Sequence, residues 1–331
     1  MIDVLVGASV QDAAHKVGVE PTVLADAVEV FLQAGHQALA HQAGTPDWWQ
    51  VYLQFADWAA SETLFASRVL PILREAEAQG SVEGWWYTRK HPCWRLRLRT
   101  APAARRRLGA ALDQLTSDGY LTRWWQGVYE PETTAFGGSA GMDAAHTLFV
   151  ADSRAIVRGQ HRDVSVGRRE LSVLLCTIMM RATGLEWYEQ GDVWHRVFTD
   201  EHRSAISGVP QNHLAARAAE IRTLLTADGA ALLRSGGPLE PIAEWATAFR
   251  HTGQSLADAV QRGTLDRGLR QILSLHVIFH WNRLGLSVGA QSVLAWAARA
   301  AILGLPQSAE QAEGTATAGE SVPLNDRWKS R

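Results

Sequence analysis

Residues 84–99 read GWWYTRKHPCWRLRLR, and the period of this stretch decides the fold. From Cys93 to Arg99 polar and apolar side chains alternate strictly, the signature of a strand with two unlike faces. Gly84 to Lys90 reads as a second strand, and His91-Pro92 is the turn between them. Outward from here, Trp48 to Phe55 (WWQVYLQF) also alternates and is rich in aromatic residues, so it too reads as a strand. Between these strands, Trp58 to Gln79 carries Leu64, Val69, Leu70, Ile72 and Leu73 at helical spacing, with Pro71 as a point of kinking and Gly80 as its cap. Ala101 to Asp118 is a helix ended by Gly119, and Leu121 to Tyr129 is a fourth strand. The order β-α-β-β-α-β predicts an α+β fold: a ferredoxin-like antiparallel sheet unit over residues 45–140, with helices on one face.

The remainder of the chain reads as mostly helical. Val23, Leu24, Ala27, Val28, Phe31 and Leu32 recur at helical spacing within an N-terminal segment, residues 1–44, with Gly35 as a break and Gly44 to Asp47 as a linker. Residues 141–305 alternate helical runs with polar loops: Asp143–Arg158, Glu170–Ala182, Val193–Phe198, Leu214–Leu225, Leu239–Thr252, Leu256–Arg262, Thr264–Leu284 and Gln291–Leu303. These helices are expected to pack on the sheet unit as one catalytic domain. The tail, 306–331, has little to bury and reads as disordered.

Composition sets limits on function. The chain has 331 residues, 47% of them apolar and 20% charged, with a net charge of −2. That supports a real core and argues against a duplex-binding surface, which needs a strong basic surplus. Two cysteines, Cys93 and Cys176, cannot form a disulfide framework or a four-sulfur metal site. The sequence shows no signal-peptide pattern and no run of about 20 apolar residues, so a cytoplasmic protein is expected. It holds no GxGxxG, no GxxxxGK[ST] and no GxSxG. Arginines outnumber lysines 29 to three, and the 14 tryptophans include the doublets Trp48-Trp49, Trp85-Trp86 and Trp124-Trp125.

Three groups could carry chemistry. Arg95, Arg97 and Arg99 share one face of their strand, and Trp94, Leu96 and Leu98 share the other. Guanidinium groups bind carboxylates through paired hydrogen bonds, so the Arg face is a candidate carboxylate clamp; a solvated face with surface ion pairs is the alternative. The stretch Tyr129-Glu130-Pro131-Glu132, running on to Phe136-Gly137-Gly138, leaves the last strand. Its glutamates are candidates for a base or for neutralising the neighbouring arginines. The segment Asp152-Ser153-Arg154 reads as capping and pairing. Finally, His276, His280, Asn282 and Arg283 lie on one helix, with His276, His280 and Arg283 on one face. Two histidines four apart can bind zinc only with a further ligand, and none stands at a telling spacing. A histidine acting as acid or base near neutral pH is the sharper reading.

Taken together, WWQVYLQFADWAASE, GWWYTRKHPCWRLRLR, YEPETTAFGGSAGMDAAHTLFVADSR and LHVIFHWNRLGL resemble the thiopeptide-type bacteriocin biosynthesis family. That family is homologous to the C-terminal glutamate-elimination domain of class I lanthipeptide dehydratases, and the resemblance covers roughly residues 20–305. It implies a stand-alone lyase that removes glutamate from glutamylated Ser or Thr of a ribosomal precursor peptide, leaving dehydroalanine or dehydrobutyrine. It further implies no cofactor and no metal, a glutamyl-tRNA-dependent dehydratase as partner protein, no direct contact with nucleic acid or membrane, and allows a homodimer.

The resemblance also implies roles. The family's HxRxR-like strand matches Cys93 to Arg97, so Arg95 and Arg97 would hold the carboxylate of the leaving glutamate, while the family's histidine is replaced by Cys93. The histidine of its NRL helix falls on His280, or on His276 one turn earlier. Glu132 is a further catalytic candidate, and Arg99, Tyr129, Glu130, Arg154, Asn282 and Arg283 are candidates for binding substrate. Many members carry an arginine just before the aromatic-Gly-Gly, where this chain has Ala135. That departure keeps a second branch open, the pyridine synthases that close the thiopeptide ring by a formal aza-cycloaddition with leader release. A non-catalytic, precursor-binding subunit is the third reading.

Overall fold

The alternating stretch becomes the centre of a four-stranded antiparallel sheet. The computed structural model describes residues 2–42, 47–199, 206 and 210–304; the tail expected at 306–331 and most of the linker expected before Asp47 lie outside the described residues. The chain divides into two compact units, residues 1–131 with 149–160, and residues 132–148 with 161–331.

The first unit opens with α1 (Ile2–Leu5), α2 (Val10–Val17) and α3 (Pro21–Gln42). The break expected at Gly35 falls instead at Gly18, whose left-handed φ of 69° lets its N–H cap the end of α2 on Ala14 and His15. Pro21 then starts α3, where a missing N–H costs nothing. These helices share a small core of Ala13, Ala14, Leu24 and Val28.

The sheet follows: β1 (Asp47–Phe55), α4 (Ser61–Leu64), a π turn at Phe65–Val69, α5 (Leu70–Ala78), β2 (Val82–Lys90), β3 (Cys93–Thr100), α6 (Pro102–Ser117) and β4 (Leu121–Gly127). The strand order is β2-β3-β1-β4, and all three pairings are antiparallel. One face carries Val51, Leu53, Trp85, Tyr87, Trp94, Leu96 and Leu98, buried with Leu73 of α5 and Leu112 of α6. Phe65, in the π turn, stacks on Trp94 at 4.8 Å and meets Tyr87 at 5.3 Å. Trp94 Nε1 donates to Ser61 Oγ (3.2 Å), which satisfies the one polar atom of that ring. The fourth strand ends at Gly127, two residues earlier than its pattern suggested; the carbonyl of Val128 accepts instead from the Gln50 side chain at 3.2 Å.

A long helix, α7 (Ser139–Arg158), gives its residues up to Leu148 to the second unit and those from Phe149 to the first. The second unit continues with α8 (Arg168–Ala182), α9 (Trp187–Thr199), α10 (Gln211–Thr226), α11 (Gly229–Leu233), α12 (Ala243–Gln261), α13 (Leu269–Leu284) and α14 (Val288–Leu303). The centre is α8, whose residues Leu171 to Met180 are all buried. Trp281 of α13 donates to Ser172 of α8 (3.1 Å) and stacks on Trp194 of α9 at 6.0 Å.

Two helical runs expected at Leu239–Thr252 and Leu256–Arg262 are one helix, α12. Gly253 marks a helix crossing there, where an added Cβ would lie 2.3 Å from the Met179 carbonyl oxygen of α8. In the other direction, α13 starts at Leu269 rather than Thr264, because the N–H of Asp266 bonds to the Gly137 carbonyl (3.0 Å) and holds 264–268 as a loop. No described helix is long and apolar enough to cross a membrane.

Gly253→Ala must push α12 off α8. The expected loss is about 1–3 kcal/mol, read as a lower urea midpoint with an unchanged slope. A full-stability variant would show that the two helices do not cross this closely.

Candidate active site

The register of the sheet assembles the first cluster. Across the strands, Trp86 faces Arg97 and Arg97 faces Gln50; one row further, Thr88 faces Arg95 and Arg95 faces Tyr52, itself opposite Trp125. Arg97 is 7% exposed. Its Nε donates to Gln50 Oε1 (2.8 Å), and one terminal nitrogen donates to Thr88 Oγ1 (2.9 Å) and the Arg95 carbonyl (3.2 Å). These three bonds fix the orientation of the guanidinium. Its carbon lies 4.2 Å over the Trp86 ring and 5.5 Å from that of Tyr129. Trp48 and Tyr129 meet Trp86 edge-on, and Phe149 packs on it at 4.7 Å. Arg97 therefore sits in an aromatic frame with a fixed orientation.

The neighbouring arginines differ. Arg95 is half-buried, 5.7 Å from the Tyr52 ring. Arg99 is exposed and pairs with Glu83 at 3.0 Å, so the surface ion-pair alternative describes it well. Arg154 pairs with Glu77 of α5. Ser153, beside it, accepts from the Tyr87 N–H of the edge strand β2 (3.3 Å). Glu130 is exposed and forms no ion pair among the described residues. Burial pushes the Cys93 thiol up, which leaves it protonated and a poor substitute for the histidine that the family pattern puts there.

Gln50, Thr88 and Trp86 escaped the sequence reading. Their signal is the cross-strand register, and that needs the pairing partner to be known. A Gln or Thr on the same face as an Arg ladder reads as ordinary surface until the row is aligned.

The second cluster belongs to the helical unit. Glu132 is exposed and begins the turn 132–136, its carbonyl accepting from the Phe136 N–H (3.0 Å). Gly137 follows with φ +82°, and an added Cβ there would fall 2.7 Å from Ile272, one turn before His276. Phe136 is buried against His276, edge-on at 5.2 Å. His280, also fully buried, meets Phe249 at 5.1 Å and Trp245 at 6.1 Å, both on α12. The two histidines share a helix but have different neighbours, and His276 is the one beside the aromatic-Gly-Gly turn. Arg283 is fully buried and Asn282 half-buried, the latter accepting from Gln291 of α14 (3.4 Å). Among the described residues no three His, Cys, Asp or Glu side chains gather in a metal-binding group.

Burial, reinforced by the nearby Arg283 charge, pushes His276 down to about 3. Its imidazole is neutral at physiological pH: it can accept a proton or a hydrogen bond and is not a resting acid. The unfolded chain protonates this histidine below about 6.5, the folded one only near 3. Stability is therefore full above pH 6.5 and falls as pH drops, by at most about 1.4 kcal/mol per unit. His276→Gln is expected to flatten this acid slope in melts between pH 7 and 4; an unchanged slope would place the titrating group elsewhere.

Residues 48–302 match the family model described as lantibiotic biosynthesis dehydratase, C-terminal. Among solved structures, the chain is similar to the tRNA-dependent lantibiotic dehydratase MibB from Microbispora sp. 107891, with 19% identity, a TM-score of 0.56, and 79% of this chain but 28% of that one covered. It therefore spans little more than a quarter of that dehydratase. It is also similar to TsrL (17% identity, TM-score 0.54, 78% and 94% covered) and to TbtD, the pyridine synthase from thiomuracin biosynthesis (14%, 0.53, 77% and 97%). These likenesses show a shared fold. No curated protein is matched in sequence. The match over residues 48–302, with the sheet and helices just described, makes this chain a member of the lantibiotic dehydratase C-terminal family.

Proposed function

We propose that the chain is a stand-alone elimination enzyme in the maturation of ribosomal peptides. It removes glutamate from glutamylated Ser or Thr of a precursor peptide, after a separate glutamyl-tRNA-dependent protein has installed the ester. The observation that carries this reading is Arg97, a buried guanidinium held in a fixed orientation by Gln50 and Thr88 within an aromatic frame, with Arg95 half-buried on the same face of the strand. A guanidinium fixed in this way suits paired hydrogen bonding to a carboxylate. The same strand order, β2-β3-β1-β4 with helices on one face, supports a ferredoxin-like unit as the platform.

The chemistry needs no cofactor. The Cα–H bond breaks, its electron pair forms the Cα=Cβ double bond, and the Cβ–O bond breaks as glutamate leaves with the carboxylate it gains. Arg97, with Arg95, holds a carboxylate of the leaving glutamate and stabilises the charge that develops there. His276, His280 and Glu132 are the candidates for the base that takes the Cα proton; His276 lies beside the Phe136 turn, but burial pushes it down to about 3, which leaves it neutral and only weakly basic.

A second reading has its own support. The fold is shared with the pyridine synthase TbtD as well as with the dehydratase, and the chain has Ala135 in place of the family's common arginine. On this reading the scaffold orients two dehydro residues for ring closure, which calls mainly for positioning.

Mass spectrometry of a glutamylated precursor peptide incubated with the purified protein separates the two. Loss of glutamate with dehydro residues formed is the expected result. An intact ester, with ring closure on an already dehydrated, azole-bearing peptide, would replace the lyase by the synthase. If the protein is the lyase, Arg97→Gln lowers kcat/KM at least 100-fold, consistent with the loss of an oriented donor to developing charge, and Arg99→Gln changes it little. His276→Gln, His280→Gln and Glu132→Gln, assayed in parallel, identify the base as the one whose loss abolishes turnover.

A further inference from the structure

The helical unit holds a second arginine cluster, made of residues other than those assigned to chemistry above. An open pocket of about 590 Å³ lies among α8, α11 and α12, lined on the apolar side by Ile178 and Leu233 and on the polar side by Arg181, Arg234 and Arg250. Its single acid, Asp228, already accepts from the N–H groups of Ala230 and Ala231 (3.0 and 3.2 Å), capping α11. Arg181 is also anchored: it donates to the carbonyls of Leu225 and Ala227 at the end of α10. Arg234 and Arg250 have no ion-pair partner among the described residues. Elsewhere in the chain Arg89, Arg99, Arg105, Arg154, Arg196, Arg217 and Arg270 each meet a carboxylate. Three guanidinium groups around one pocket repel one another unless an anion joins them, and this in a chain whose net charge is −2.

The geometry points to an exosite for an acidic, partly apolar peptide segment, whose carboxylates meet Arg234 and Arg250 while an aliphatic side chain rests on Ile178 and Leu233. The volume is that of an ordinary ligand pocket. The cations are all arginine, the side chain that grips carboxylates in a two-pronged fashion. No aromatic residue lines the pocket, so it lacks the stacking platform by which single-stranded nucleic acid is held. The inference rests on the reading that the substrate is a peptide, and on neither of the two reactions in particular. It gives such a peptide a second foothold, remote in sequence from the residues assigned to chemistry.

The test is fluorescence anisotropy with a short fluorescein-labelled peptide of Glu-Glu-Leu repeats, its Gln-Gln-Leu counterpart, and a labelled single-stranded RNA, each at roughly physiological salt. The wild-type protein is expected to bind the acidic peptide at least tenfold more tightly than the amide form. The double variant Arg234→Glu/Arg250→Glu should lose that preference at least tenfold. Arg250→Gln alone, with Arg234 intact, covers the event that the double reversal lowers the melting temperature, and should lose part of the same preference. Equal binding by wild type and a folded variant, or no preference for the acidic peptide, overturns the exosite. Variant-sensitive binding of the RNA at higher affinity overturns it in favour of a polyanion site. Turnover is scored separately, so an inactive protein that still prefers the acidic peptide would sink the proposed reaction and leave the pocket standing.

Discussion

The alternation of side chains along β3 is the constraint on which the first unit depends. This strand is paired on both edges, with β2 and β1, so it cannot turn to relieve a mismatch. Burying Trp94, Leu96 and Leu98 under the helices obliges Arg95, Arg97 and Arg99 to emerge together on the other face. A shift of one residue would place three guanidinium groups in the core, at a desolvation cost no packing gain could offset. Core and candidate site are thus two faces of one strand, and selection on either acts on both.

The helical unit works by a different rule. Its polar candidates are not displayed on a sheet face; His276, His280 and Arg283 are all fully buried. What distinguishes the two histidines is their company. Trp245 and Phe249 hold His280 from α12, whereas His276 has Phe136, from the turn that also carries Glu132 and the paired glycines. Burial keeps the His276 imidazole neutral and weakly basic, because the imidazolium would forgo its water and face the Arg283 charge.

The strands were readable because their period is short and each is bounded by a turn residue; all four were located to within two residues. Helix boundaries were harder, and the reasons are local. Gly35 resembles a breaker yet sits inside α3, and Gly253 resembles a breaker yet marks a close helix crossing. A glycine in a sequence announces only that a side chain is missing, and the structure says whether the space serves a turn or a neighbour. The Arg ladder was legible as well, but its differentiation was not. Arg97 is held by Gln50 and Thr88 while Arg99 pairs with Glu83, and only the alignment of β1, β2 and β3 separates them. The open arginine pocket could not be read at all, since Arg181 and Arg250 come from α8 and α12 and Arg234 from the residue after α11, with no shared motif.

The π turn at Phe65–Val69 has a consequence for how this family can vary in length. A π turn is one extra residue absorbed by a helix without breaking it. Upstream of it, Ser61 reaches Trp94; downstream, Leu70, Leu73 and Ala76 face the sheet. Excising a single residue here would restore ordinary α geometry with both flanks keeping the faces they present, so Ser61 and the leucines would stay on the sheet. What such a deletion would disturb is the turn itself, where Phe65 lies against Trp94 and Tyr87. A change of one residue in length is therefore confined to this turn and is not passed on to the helix on either side.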